Sequence, residues 1–318
     1  NASSGGIMTA LSSYLISCGR VNGAIVTGMR YGRSGPMPEV FIAYNDNDLI
    51  RAQGSKYCPV PSLAKLKLLL QGKLKQKFVF VGTPCQIAGL RLLQNEYPEL
   101  KTTIPLTIGN FCGGFKDMRE TRKLIQRQGI DPSDITFFRY RGGGQPGSML
   151  IRTRDDQQKA LPYPDYAKLT GIRKYYRCRV CVDATAELSD FSCGDAWIER
   201  FLSTGQGWSI LMTRSETAEA IAKEMRKQNL ISCEVISLDE LKKSQSGNLT
   251  SKKARQSARR KFCRLLRLPL PDYDGGYREK SSQIMLEMKV FMSHSIFDLS
   301  EKLGCYPLLA KILGRKVQ

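Results

Sequence analysis

Residues 77–95 read KFVFVGTPCQIAGLRLLQN, and this segment decides the class of fold. Its first six residues form a short apolar run, which is typical of a strand buried on both faces of a sheet. A turn that ends at Cys85 follows, and residues 86–95 then have the spacing of a helix. A second apolar run, at 103–111, ends at Cys112. The order strand, turn, helix, strand predicts an α/β core with a partly parallel sheet.

Elements on either side extend this pattern. Helices are predicted at 7–18, 61–71 and 216–228, strands at 23–30, 39–44 and 209–213, and a hairpin across 135–153. Past residue 240 the pattern becomes helical and basic. We therefore expect a mixed, partly parallel sheet core with flanking helices over residues 1–244, and an appended basic helical C-terminal extension over residues 245–318.

Charge is the most unusual feature of the composition. With 49 basic and 29 acidic residues, the chain has a formal net charge of +20. Such an excess attracts polyanions, among them nucleic acid, anionic membranes, phosphate-bearing cofactors and acidic proteins. Part of it lies in one dense run, which is either a solvated helix face or a polyanion-binding surface. The run comprises Lys252, Lys253, Arg255, Arg259, Arg260, Lys261, Arg264 and Arg267.

The sequence indicates a cytoplasmic protein. No apolar run approaches the roughly 20 residues that span a bilayer, so no transmembrane segment is expected. The first residues, NASSGG, lack the basic and apolar regions of a signal peptide. A start without methionine suggests that something upstream was removed or left out. Ten cysteines are too sparse for a disulfide scaffold, and we expect reduced thiols.

The strongest local signal for chemistry is the pair Cys178 and Cys181. This spacing brings two thiolates close enough to share a metal centre or to form a disulfide. A structural zinc ion would need two further ligands, and His294 is the only histidine. A redox dithiol would prefer a helix N-terminus after a strand, which the preceding residues match weakly. An iron–sulfur cluster can take its other thiolates from distant turns, and the available cysteines favour this interpretation.

Three further cysteines are candidate ligands. Cys85 and Cys112 each follow an apolar strand, and the ends of parallel strands converge on a site. Cys193, within SDFSCGD, is either another ligand or a small residue of a buried strand. Core packing is the default expectation for the other five cysteines. These are Cys18, Cys58, Cys233, Cys263 and Cys305.

Three turns rich in glycine or hydroxyl groups are candidates for cradling a phosphate group. SSGG at 3–6 opens a helix, whose free N–H groups attract anions. GSKY at 54–57 offers a hydroxyl, an ammonium group and an aromatic ring, and GTP at 82–84 precedes a helix. The sequence has no P-loop motif and no G-x-G-x-x-G after its first strand, which argues against those nucleotide sites.

Together these segments resemble the conserved blocks of the coenzyme F420 hydrogenase/dehydrogenase beta subunit family. The blocks occur in the expected order over residues 3–214. They are SSGGIMTAL, GSKYC, VFVGTPCQIAGLR, IGNFCGG, FRYRGGGQPG, CRVCVD, SDFSCGDAW and GWSILMTR. The resemblance implies an FAD-binding α/β protein with a 4Fe-4S cluster. Relatives reduce or oxidise the deazaflavin coenzyme F420, or pass electrons from ferredoxin to an organic substrate.

Both cofactors are implied to lie within residues 1–244. The family blocks place the cluster thiolates at Cys85, Cys112, Cys178 and Cys181. Cys193 is a reserve candidate, because its block often has an aliphatic residue there. The flavin would be held by Ser4, Gly5, Gly6, Thr9, Ser55, Lys56 and Tyr57. Lys56 is the expected cation near the flavin N1–C2 edge, where a cation would tune the flavin potential.

Two features depart from the family pattern. Gln145 stands where an aromatic residue is usual, and we expect this to alter the substrate face. Many relatives also carry an upstream ferredoxin-like segment with its own Cys-x-x-Cys runs, which this chain lacks. Electrons are therefore expected to enter through the missing upstream part or through another subunit.

The sequence thus predicts an iron–sulfur flavoprotein oxidoreductase that passes electrons between reduced coenzyme F420, or ferredoxin, and a partner protein or organic substrate. Two alternatives stay open. A basic nucleic-acid-binding protein with a structural zinc site would explain the basic run, although no aromatic residues are interleaved there and no nucleic-acid partner is expected. The second alternative is a family member that binds flavin but has lost catalysis. No Ser/His/Asp constellation supports a hydrolase, because His294 stands alone.

Overall fold

The computed structural model describes residues 4–72, 76–166, 174–205, 207–273 and 282–305. Within these ranges the strands form two separate sheets. The strands are β1 (Gly23–Arg30), β2 (Met37–Ala43), β3 (Phe78–Gly82), β4 (Leu106–Asn110), β5 (Ile135–Gly142), β6 (Ser148–Thr153), β7 (Gln158–Pro162), β8 (Phe191–Asp195) and β9 (Ser209–Thr213).

Helices surround the larger sheet and make up most of the C-terminal part. In chain order they are α1 (Ser4–Ser17), α2 (Asp46–Arg51), α3 (Leu66–Leu70), α4 (Pro84–Glu96), α5 (Glu99–Thr103), α6 (Met118–Arg127), α7 (Tyr176–Val180), α8 (Glu199–Leu202), α9 (Glu216–Lys227), α10 (Leu238–Ser244), α11 (Ser246–Leu249), α12 (Gln256–Leu265) and α13 (Ser282–Lys302). Short 3₁₀ helices cover Ser62–Lys65 and Pro132–Asp134, and a π-helical turn covers Thr250–Ala254.

The six-stranded sheet has the order β2-β1-β3-β4-β8-β9. Its four central strands run parallel, and the two edge strands, β2 and β9, pair antiparallel to their neighbours. This arrangement confirms the predicted α/β class with a mixed, partly parallel sheet and flanking helices.

Both faces of this sheet are buried, as the apolar strand sequences predict. Along β3, Val79 packs in a cluster with residues of α1 and α9, while Phe78 and Phe80 pack in a cluster with residues of α3 and α4. Ala24 and Ile25 of β1 divide in the same way between the two faces. The central strands therefore lie between two helical layers, which leaves the ends of the strands as the accessible edge.

The smaller sheet is antiparallel, with the order β5-β6-β7. It contains the predicted hairpin and adds one strand that the sequence did not predict. That strand, Gln158–Pro162, is mostly exposed and therefore lacks an apolar pattern. An apolar cluster that includes Leu124, Phe138 and Met149 joins α6 to this sheet.

Two predicted elements differ from the observed ones. The helix predicted at 61–71 is a 3₁₀ turn followed by the short helix α3. The strand predicted at 103–111 begins only at Leu106, because α5 occupies the first part and Pro105 has no N–H to donate to a neighbouring strand. Ile104 is buried in the helical layer, so its apolar side chain does not indicate a strand residue.

The C-terminal part is helical, as predicted, and packs around an apolar cluster formed by Val180, Phe262, Cys263 and Phe291. Within the dense basic run, Lys252 and Arg259 are each only 4% exposed, so the solvated-face interpretation is wrong for these two residues. The domain boundary after residue 244 stays a prediction. In the part of the chain that the structure describes, no helix is long and apolar enough to cross a membrane.

A polar clamp holds β4 beside β8. The Asp190 carboxylate accepts hydrogen bonds from Thr107 N at 2.9 Å and Thr107 Oγ1 at 2.8 Å, and Arg91 Nη2 donates to it at 3.1 Å. Asp190 precedes β8 and Thr107 is the second residue of β4, so this cluster fixes the starts of the two strands against each other.

Replacing Asp190 by Ala should lower the free energy of unfolding by about 2 kcal/mol, because it leaves the hydrogen-bond donors of Thr107 and Arg91 without their acceptor. Urea unfolding followed by circular dichroism would measure the change. Asp239→Ala is the matched control, since Asp239 forms an exposed pair with Lys242 that should contribute less than about 1 kcal/mol. Equal losses in the two variants would contradict the clamp.

Candidate functional site

A cleft opens at the carboxyl ends of β3 and β4, where parallel strands commonly deliver ligand-binding residues. All three turns that the sequence singled out as phosphate cradles contribute to its wall. Among the lining residues are Gly5, Thr9, Gly54, Ser55, Lys56, Tyr57, Gly82, Thr83, Asn110, Phe111 and Cys112. Segments that are distant in sequence therefore meet at one surface.

Five of the seven predicted flavin residues line this cleft: Gly5, Thr9, Ser55, Lys56 and Tyr57. Gly6 lies in the first turn of α1 and is not among the lining residues. The side chain of Ser4, like the whole of residue 3, lies outside the described part of the chain.

Three cations give the cleft a positive character. Lys56 enters from the loop after α2, and Arg139 and Arg141 come from β5, where residues two apart point to the same face. Burial, with a further contribution from Arg139, lowers the pKa of Lys56 to about 7. Its ammonium group donates to the carbonyl of Gln53 at 3.2 Å and to that of Ala52. An anion in the cleft would favour the protonated form of this side chain.

Arg141 is held firmly in place. Its guanidinium pairs with Asp195, donates from Nε to Pro146 O at 2.9 Å, and lies 5.1 Å from the ring centroid of Trp197. Among the described residues, neither Arg141 Nη2 nor Asn110 Oδ1 has a hydrogen-bond partner, although both atoms are buried. Since both residues line the cleft, a donor and an acceptor are left for a polar ligand.

Next to this cleft, four thiols from three parts of the chain come together. Cys85 is in the first turn of α4 after β3, Cys112 follows β4, and Cys178 and Cys181 lie in and directly after α7. The thiol of Cys112 interacts electrostatically with those of Cys85 and Cys178, and Cys178 interacts with Cys181. The structure thus brings together the four predicted ligand cysteines.

Hydrogen bonds reach these sulfurs from several directions. Gly114 N donates to Cys112 Sγ at 3.3 Å, and Phe115 N donates to Cys178 Sγ at 3.4 Å. Thr83 Oγ1 lies 3.5 Å from Cys85 Sγ. N–H donors to thiolate sulfur are a recurrent means of tuning iron–sulfur centres.

Gly114 allows this close approach. Its backbone has φ +120°, in a region that L side chains rarely adopt. A Cβ at this position would lie 3.3 Å from Cys178 Cβ and 3.4 Å from Lys174 Cδ. Its conformation therefore favours glycine, and a Cβ here would fit tightly against these two side chains.

Burial, with smaller contributions from the thiols of Cys85 and Cys178, raises the pKa of Cys112 to about 11. Burial likewise raises the pKa of Cys178. Lys252 acts in the opposite direction on both thiols. Its Nζ lies 3.4 Å from Cys181 Sγ and donates to Asp183 O at 2.7 Å. A second lysine, Lys174, donates to Gly113 O at 3.0 Å and interacts electrostatically with Cys112 and Cys178, so two cations border the thiol group.

The reserve candidate Cys193 lies elsewhere. It is fully buried in β8, within the apolar cluster between the sheet and α1, and burial alone raises its pKa. Core packing holds for Cys58 and Cys263, but it is wrong for Cys18, Cys233 and Cys305, which are exposed. Within the described ranges, no three or more His, Cys, Asp or Glu side chains form a group that could hold a metal ion.

Cys112 belongs to both parts of the site. It lines the cleft, and it is a member of the four-thiol group. A ligand bound in the cleft would therefore come close to whatever the thiols hold, which is the arrangement required for electron transfer between two centres.

Sequence reasoning missed Arg139, Arg141, Asn110 and Lys252. The two arginines stand two apart within the strand-like block FRYR, and this spacing could have placed them on one face. Nothing distinguishes Lys252 from its basic neighbours in the sequence. Gln145 was expected to alter a substrate face, but it is buried and ties two backbone segments together, donating to Ala196 O and accepting from Trp208 N.

Comparison with known proteins agrees with this architecture. Residues 75–239 match the family model for the C-terminal region of the beta subunit of coenzyme F420 hydrogenase/dehydrogenase, and residues 1–67 match the model for its N-terminal region. The chain belongs to this family. The resemblance inferred from the sequence blocks is thereby confirmed.

The relatives share moderate identity with this family member. Coenzyme F420 hydrogenase subunit beta of Methanothermobacter thermautotrophicus is 28% identical over 228 residues, which cover 70% of this chain and 75% of that protein. Coenzyme F420-dependent sulfite reductase of Methanocaldococcus jannaschii is 26% identical over 73% of this chain, which spans only 36% of that protein. The relatives with an assigned name are oxidoreductases or their subunits, and the predicted enzyme class is confirmed.

A solved structure has the same fold. One chain from the F420-reducing [NiFe] hydrogenase complex of Methanosarcina barkeri superposes with a TM-score of 0.62 at 20% sequence identity. The superposition covers 84% of this chain and 88% of that one.

The lowered pKa of Lys56 can be tested by its reactivity. In the folded protein, its modification by an amine-selective acylating reagent should rise with a midpoint near pH 7, as measured by mass spectrometry of the Lys56 peptide. In urea the midpoint should return to about 10.4, the value of a solvated lysine. A folded-state midpoint equal to the unfolded one would show that burial does not shift this group.

Proposed function

We propose that this family member is an iron–sulfur flavoprotein oxidoreductase. FAD would occupy the cleft, and a 4Fe-4S cluster would be bound by Cys85, Cys112, Cys178 and Cys181. The protein would pass electrons between reduced coenzyme F420, or ferredoxin, and a partner protein or organic substrate. The observation that carries this proposal is the position of Cys112, which borders the cleft and belongs to the thiol group.

The residues of the cleft suit FAD. Lys56, Arg139 and Arg141 provide positive charge for a pyrophosphate, and the start of α1 adds a helix N-terminus with Gly5 at the wall. Asn110 Oδ1 and Arg141 Nη2 offer the unused acceptor and donor that a polar heterocycle requires. Met8, Val26 and Leu49 add apolar surface for its ring system.

Cys85, Cys112, Cys178 and Cys181 provide the four thiolates that a 4Fe-4S cluster takes. In a 4Fe-4S cluster each thiolate binds its own iron, so the four sulfurs surround a larger body. The bordering lysines and the N–H donors would offset the negative charge of such a centre.

When bound, the flavin would supply two-electron chemistry and the cluster one-electron transfer. The chain itself would fix the distance between them through Cys112, and the cations of the cleft would orient the anionic groups of FAD. A positive surface also suits coenzyme F420, which carries a phosphodiester and a glutamate tail, and acidic ferredoxins. Relatives named for coenzyme F420 favour this coenzyme as the electron partner. Those named as hydrogenase subunits favour a multi-subunit assembly.

The cluster assignment predicts that anaerobically purified protein contains iron and acid-labile sulfide, with visible absorption that bleaches when dithionite is added. Cys178→Ser or Cys181→Ser should remove the iron and the acid-labile sulfide, because each deletes a ligand. Cys233→Ser is the matched control, since Cys233 is exposed and lies outside the thiol group. Stoichiometric zinc in a colourless protein would contradict the proposal. Loss of the cluster in Cys193→Ser but not in Cys85→Ser would overturn the ligand set.

The flavin assignment predicts that FAD binds and that reduced coenzyme F420 bleaches its absorption under anaerobic conditions. Lys56→Gln should weaken FAD binding about tenfold, the loss expected for one charge-assisted hydrogen bond. Lys223→Gln removes an exposed lysine on α9 and should leave binding unchanged. Bleaching by reduced ferredoxin alone would identify that protein as the donor. Bound FAD that neither donor reduces would indicate a non-catalytic flavin protein.

A further inference from the structure

A buried lysine from the C-terminal part of the chain lies against the thiol group. Lys252 is 4% exposed, and its ammonium group contacts Asp183 O at 2.7 Å and Cys181 Sγ at 3.4 Å. In the described ranges no carboxylate forms an ion pair with it, whereas its neighbour Lys253 pairs with Glu187 at 2.6 Å. The Asp183 carboxylate accepts from backbone N–H groups, those of Thr185 and Glu187.

A buried ammonium group is costly unless a negative charge compensates it. One carbonyl oxygen satisfies a hydrogen bond but supplies no full charge. The groups beside Lys252 that can become anionic are thiols: Cys181 by direct contact, and Cys112 and Cys178 by electrostatic interaction. The position of this lysine therefore complements thiolates at the four-cysteine site.

The fold holds Lys252 in this place. It lies in the π-helical turn Thr250–Ala254, a local irregularity that is often found at functional sites. Arg259 Nη2 donates to Ser251 O at 2.6 Å, and Arg259 and Arg255 both pair with the buried Glu287 of α13 at 2.6 Å. These contacts fix the backbone beside Lys252, so the ammonium group is attached to a rigid support.

We propose that Lys252 is the charge-compensating residue of the thiol site and that it raises the reduction potential of the centre bound there. The inference rests on the proposed 4Fe-4S cluster. Reduction adds one electron to the cluster and breaks no bond, so the net negative charge increases by one. A fixed cation beside a ligand sulfur stabilises the reduced state more than the oxidised state. A neutral side chain at this position should therefore make reduction harder.

An anaerobic redox titration of the full-length protein, with dithionite as reductant and the electron paramagnetic resonance signal of the reduced cluster as readout, tests this inference. At a fixed ambient potential, the ratio of reduced to oxidised cluster should be about tenfold lower in Lys252→Gln than in the wild type, which corresponds to a midpoint about 59 mV more negative. Lys252→Arg keeps the charge and should stay close to the wild-type midpoint. Lys253→Gln removes the same formal charge one residue away and should change the midpoint little.

An unchanged midpoint in Lys252→Gln with full iron content would overturn the inference. If Lys252→Gln binds no iron, the Lys252→Arg variant distinguishes a role of the positive charge from a role in folding. Iron retained in Lys252→Arg supports compensation by charge, and iron lost from both variants with native circular dichroism refutes it. A wild-type protein without a cluster would refute the proposed function and this inference with it, whereas a loaded wild type with a potential independent of Lys252 refutes the inference alone.

Discussion

The parallel pairing of β3 with β4 is the constraint on which the site depends. Gly82 and Gly109 are partners in this pairing, and each is followed three residues later by a cysteine of the thiol group, Cys85 or Cys112. Because parallel strands end at the same edge of a sheet, the register brings these two thiols to one place. The same strand ends also form the wall of the cleft. The polar clamp around Asp190 secures the neighbouring strand, from which Asp195 reaches Arg141.

Positively charged residues are numerous in this protein, and some of them occupy specific positions at the cleft and the thiol group. Much of the net charge of +20 faces solvent, but a few cations are buried or half-buried at two adjoining sites. Lys56 and Arg141 border the cleft, and Lys174 and Lys252 border the thiols. Their burial costs free energy unless anions are nearby. An anionic cofactor in the cleft and an anionic metal centre on the thiols would explain both placements by one physical principle.

Local sequence patterns predicted the parts of the fold in which each strand is buried on both faces. β3 and β4 were predicted because a short, continuous apolar run indicates a strand that is buried on both faces. The ends of these two strands then identified Cys85 and Cys112. β7 was missed because its residues, Gln158–Pro162, are mostly exposed and carry no apolar pattern. The helix at 61–71 was predicted with Pro61 near its start and Gly72 after its end, and these boundary signals do not distinguish an α-helix from a 3₁₀ turn that continues into one.

Lys252 marks the limit of prediction for the site. It is one of eight basic residues between positions 252 and 267, and its proposed role depends on a contact with Cys181 across 71 positions of the chain. The order of these residues in the chain also determines the order in which they are synthesised. The ribosome releases all four cysteines before it releases Lys252, so for a time the nascent chain has every thiol but lacks the buried cation. The Lys252–Cys181 contact can form only after the π-helical turn has been synthesised and has packed against the thiol group, so it is a late event in the folding of this chain.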